Sequence, residues 1–103
     1  MNLGLAIKQV RQHLSVSQME LSQKTGISQT SISQIESGAK NPSKRSIAII
    51  CKKLGIPEAV LYVMGMESTD VPASRLEIYD KLYPAIKEMA VRLMPKSKSD
   101  LLN

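Results

Sequence analysis

The chain has 103 residues, 43% of them hydrophobic, a net charge of +5 and one cysteine. That suits one small domain with an appendage and excludes an intrachain disulfide. With neither Phe nor Trp, the core must be Leu, Ile, Val, Met and Ala, which suits packed helices and argues against the aromatic platforms that hold single-stranded nucleic acid.

In chain order, Leu3, Ala6, Ile7, Val10 and Leu14 recur at three- and four-residue steps and predict an amphipathic helix. Ser17, with Glu20 three residues on, makes a capping box for a second helix over about 18–24. Gly26 supplies the left-handed residue that ends it. Ser28 caps a third helix reaching Glu36 or Ser37, and Gly38 stops it. Residues 39–42 read as a loop. Ser43 caps a fourth helix through Leu54, Gly55 ends it, and Pro57 fits the first turn of a fifth helix reaching Met64. Cys51, inside the apolar run 47–54, reads as a small buried hydrophobe, with a reactive thiol as the alternative.

Residues 67–72, "ESTDVP", read as a linker. A last amphipathic segment covers 73–93, with apolar positions at Leu76, Tyr79, Leu82, Tyr83, Ile86, Met89, Ala90 and Leu93. Pro84 interrupts it. A proline removes a backbone donor and clashes with the preceding turn, so it must kink the helix or start a new one. Pro95 ends the pattern, and 96–103 read as a frayed tail. No segment demands a strand, so the expected fold is all-α.

Charge divides the chain. Residues 1–57 carry eight basic side chains against two acidic ones, and the remainder six against seven. The basic half suits a polyanion and the near-neutral half another task. His13 has no companion ligands and reads as a surface residue. There is no nucleophile–base–orienter set, glycine-rich phosphate loop or carboxylate cluster. No enzyme activity, catalytic residue, metal ligand or cofactor is expected. The apolar stretch 59–66 is far short of the roughly 18 residues that span a bilayer, and the N-terminus lacks a basic region followed by an apolar core. These features predict a cytoplasmic, nucleoid-associated protein with no membrane partner.

The informative stretch is 18–38, "QMELSQKTGISQTSISQIESG". Two short helices dock steeply across a tight turn when three conditions hold together. The turn needs a residue at ease with positive φ, here Gly26. The crossing needs a small residue, here Ser22. Apolar residues must pin the pair, here Leu21, Ile27, Ile32 and Ile35. The residues left over on the third helix, Ser28, Gln29, Thr30, Ser33 and Gln34, are all polar and uncharged. Glutamine can pair through two bonds with the major-groove edge of adenine, and Ser and Thr serve several bases. A helix exposed only to water more often carries Lys and Glu pairs.

On these residues, 3–64 resemble the lambda-repressor-like helix-turn-helix domain of the Cro/C1, or xenobiotic-response-element, type. "LSQKTGISQTSISQIESGAKNPS" carries the likeness, including Gln18, Gly26, Ile32, Glu36 and the "ESGAKNPS" exit. Ser22 departs from the family's usual Ala; its hydroxyl is small and can bond back to a helix carbonyl. The resemblance implies a five-helix DNA-binding domain over 1–66, a bacterial or phage source and transcriptional control. It implies that Gln29, Thr30, Ser33 and Gln34 face bases. It assigns phosphate contacts to Gln18, Ser28, Ser37, Lys40, Asn41, Lys44 and Arg45, and pairs Arg11 with Glu36 structurally.

The partner is then double-stranded DNA, and the expected function is a regulator, a repressor in the first instance, acting as a homodimer on a two-fold operator. The linker 67–72 leads to the helical segment 73–94, kinked or broken at Pro84, whose apolar stripe can dimerise, fold back on its own domain, or grip a toxin or other protein. Residues 95–103 form a flexible tail. An antitoxin and a restriction–modification controller share this chemistry.

Overall fold

The local signals resolve into six α-helices in a computed structural model, which describes residues 1–97. They are α1 (Leu3–His13), α2 (Gln18–Thr25), α3 (Gln29–Ser37), α4 (Lys44–Leu54), α5 (Glu58–Met64) and α6 (Leu76–Arg92). Single 3₁₀ turns occupy Ser68–Asp70 and Ala73–Arg75, and the described residues contain no strand. Most of the expected tail, 98–103, lies outside the described residues. No helix among the described residues is long and apolar enough to cross a membrane.

The helix ends follow from single side chains. Ser17 Oγ accepts the Glu20 N–H at 3.0 Å while the Glu20 carboxylate accepts the Ser17 N–H at 3.2 Å. Ser28 accepts the Ser31 N–H at 3.1 Å, and Ser43 accepts the Ser46 N–H at 3.0 Å. Each satisfies an amide that the helix itself leaves without an acceptor. Asn2 caps α1 in the same way, through the Leu5 N–H at 3.0 Å. Gly26 and Gly38 end α2 and α3 at φ +77° and +85°, where a Cβ would be strained.

One core joins all six helices. Ala6, Ile7 and Val10 of α1 meet Leu21, Ile32, Ile35, Ile47, Ile50, Leu54, Val60 and Leu61, all buried. Cys51 belongs to this core, and burial, reinforced by the charge of Glu58, pushes its thiol up to about 11. A thiol so high supplies almost no thiolate near neutrality. The backbones of α1 and α3 approach closely at Gly4. A Cβ at Gly4 would fall on the Ile35 carbonyl, so only glycine lets α1 lie against α3.

The C-terminal segment packs on α5 and adds Ala90 and Met94 to the same core. The stretch read as a linker carries the 3₁₀ turn Ser68–Asp70, and Glu67 and Asp70 both pair with the Met1 ammonium, at 2.7 and 2.8 Å. The break allowed at Pro84 does not occur; α6 runs through it from Leu76 to Arg92. The reason is position. The carbonyl left without a donor is that of Asp80, and both Asp80 and Pro84 are exposed, so water can serve it.

Candidate nucleic-acid interface

The geometry of α2 and α3 is fixed by the turn between them. The Gly26 N–H closes onto the Ser22 carbonyl at 2.9 Å. Ser22 Oγ donates to the Ile27 carbonyl at 2.6 Å. This corrects the expected bond back along α2: the Ile27 carbonyl lies in the non-helical turn, has no helical donor, and draws the hydroxyl forward. Thr25 is buried. It donates to the Leu21 carbonyl at 2.7 Å and accepts the Ile27 N–H at 3.2 Å. The sequence pattern missed Thr25, because a threonine in a last helical turn carries no distinctive signal. Leu21, Ile32 and Ile35 are buried between the helices, with Ile27 half-buried beside them.

This docking leaves one face of α3 to solvent. Gln29, Thr30, Ser33 and Gln34 are all exposed, and together with Gln18 they line a shallow open depression. All five are uncharged amides or hydroxyls. The side chains of the four α3 residues are not spent on internal hydrogen bonds among the described residues, so their donors and acceptors remain available to an outside partner.

Gln18 is held from below. Its Nε2 donates to Glu36 Oε1 at 3.1 Å. A primary amide has two N–H groups, so one stays free. Glu36 in turn accepts a two-point contact from Arg11, Nε to Oε2 and Nη2 to Oε1, both at 2.8 Å. Arg11 Nη1 donates to the Val16 carbonyl at 2.9 Å. The two side chains are 10% and 3% exposed, and the hydrogen bonds to Glu36 raise the Arg11 pKa, holding the guanidinium charged. One buried network thus ties α1, the loop before α2, Gln18 and the end of α3.

The remaining candidates lie outside the depression. Ser28 accepts from Ser31, which leaves its own proton free to donate. Ser37 Oγ donates to the Gln34 carbonyl at 3.1 Å and accepts the Ala39 N–H at 3.4 Å, so it closes the exit turn. Lys40 lays its ammonium 3.5 Å from Ser31 Oγ, along α3. Asn41 is exposed in the following loop, and Lys44 and Arg45 are exposed in the first turn of α4. Lys40, Asn41, Lys44 and Arg45 do not share the depression with the four α3 residues. The uncharged depression therefore holds none of these basic side chains.

A family model described as helix-turn-helix matches residues 7–61, more than half of the chain. No curated protein and no solved structure matches it.

Proposed function

The chain belongs to the lambda-repressor-like, Cro/C1-type helix-turn-helix family, and from that premise we propose that it reads a two-fold operator as a homodimer and represses transcription there. It is a DNA-binding transcription regulator with double-stranded DNA as its partner. The observation that carries the finer reading is the face of α3: four exposed, uncharged, hydrogen-bonding side chains in one depression with Gln18. In this reading Gln29, Thr30, Ser33 and Gln34 meet base edges in the major groove. Gln18, Ser28, Ser37, Lys40, Asn41, Lys44 and Arg45 meet phosphates, which set register and affinity without reading sequence.

The dimer is argued from α6. Ile78, Leu82, Ile86, Met89 and Leu93 follow one stripe, each between 45% and 68% exposed. The charges of α6 balance, three acidic against three basic. Two copies can meet there without the repulsion that their basic DNA-binding halves would cause. A single helix-turn-helix covers few base pairs, so a second copy also supplies the missing half of the site. Repression asks for nothing beyond the interface itself: a protein seated in the groove competes with polymerase for the same duplex.

Selection from random duplex DNA tests this. Recovered sequences should contain two inverted half-sites, centred about 34 Å apart or a multiple of it. A folded protein that enriches no sequence would rule the reading out.

A further inference from the structure

Two tyrosines join α6 to the DNA-binding helices at one point. Tyr83 Oη donates to the Val63 carbonyl at 2.7 Å and lies 3.5 Å from that of Met64. Tyr79 Oη donates to the Met66 carbonyl at 3.3 Å. The rings stack, with centroids 4.9 Å apart and planes 13° from parallel. Val63 and Met64 end α5; the Val63 carbonyl already accepts the Met66 N–H at 3.2 Å, and the Tyr83 phenol adds a second donor to it. Burial raises both phenols above the ordinary tyrosine value, so they stay protonated and able to donate.

The same junction holds the other end of the molecule. The Asn2 N–H donates to the Gly65 carbonyl at 2.7 Å. Asn2 caps α1, and α1 lies against the α3 backbone at Gly4. From the Tyr83 phenol to α3 the route is therefore short and built of backbone contacts: the end of α5, Asn2, Gly4, Ile35. A rigid attachment of α6 is a rigid attachment to the groove-reading helix.

We propose that Tyr79 and Tyr83 are positioning residues for operator spacing: they clamp α6 to the end of α5 and so fix the distance between the two α3 helices of the dimer. The proposal rests on the homodimer reading above. It separates two properties that the fold keeps in different places. Half-site sequence belongs to the α3 face. Half-site spacing belongs to the tyrosine clamp, which touches no DNA. Removing the Tyr83 hydroxyl keeps the ring and its packing but deletes the bond that aims α6.

The test uses the full chain, its Tyr83→Phe variant and its Tyr79→Phe variant, each checked for a parental helical spectrum. Each is titrated against duplexes carrying the selected half-sites at the parental spacing, at one base pair more and less, and against a single half-site. Tyr83→Phe should bind the parental spacing about three- to tenfold more weakly, the scale of one hydrogen bond. It should discriminate less between spacings and leave single half-site affinity unchanged. Tyr79→Phe, with the longer bond, should do the same to a smaller degree. Folded variants that keep the parental spacing preference overturn the clamp and leave the dimer standing. A parent protein that prefers no spacing overturns both. If a variant fails to fold, the other decides the matter.

Discussion

Glu36 carries more of the site than any other single residue. It accepts from Arg11 twice and from Gln18 once, with its side chain 3% exposed. Removing one member of a buried pair leaves the other charge uncompensated, at a cost of about 3–5 kcal/mol. Glu36→Ala should therefore lower the unfolding free energy read from a urea titration by that amount, and an unchanged value would show that the pair is not structural. Replacing both members by apolar residues, Arg11→Met with Glu36→Leu, should recover most of the stability but not the placement of Gln18. At this scale the α3 face was legible in the sequence, because a run of uncharged polar residues on one helix face is local information. The amide of Gln18 resting on Glu36 was not, because its partner lies 18 residues away. The Ser22 hydroxyl was legible as a small group bonding back along its helix, and that of Thr25 carried no signal. Their shared destination, the Ile27 backbone, depends on the turn having formed.

At the scale of elements, α2, α3 and α4 follow from their caps. Ser17, Ser28 and Ser43 start them and Gly26, Gly38 and Gly55 end them, each signal within four residues of the bond it makes. How the elements approach one another was less visible. Gly4 looks like an ordinary helical residue in sequence, yet it sets the α1–α3 distance. Gly4→Ala must push two backbones apart, since a carbonyl cannot swing away as a side chain can. It should cost about 1–3 kcal/mol, seen as a lowered melting temperature, and weaken DNA binding through the displaced α3. A melting temperature equal to the parent's would mean the two helices are not in close contact. The last helix shows the opposite difficulty. Pro84 is a strong local signal, but its effect depends on whether the orphaned Asp80 carbonyl faces water, which no local pattern reports.

For the whole molecule, charge and apolar surface are separated. The basic half holds the proposed DNA interface, and α6, balanced in charge, holds the exposed apolar stripe. Leu82→Glu, placed at 53% exposure in the middle of that stripe, should convert the protein to a monomer in sedimentation while it keeps the parental helical spectrum. A parent that already sediments as a monomer at all concentrations would remove the dimer. The central claim concerns the division of labour across the interface: discrimination from the uncharged face of α3 and affinity from the basic residues beside it. Titration of a selected duplex and a scrambled one, over a series of salt concentrations, measures the two separately. Gln29→Ala should lose about 1–3 kcal/mol on the selected duplex alone, at an unchanged salt slope. Lys44→Ala should weaken both duplexes alike and reduce the slope by about one. The contradicting result is a Gln29→Ala protein that weakens on both duplexes equally, which would place base reading elsewhere than on α3.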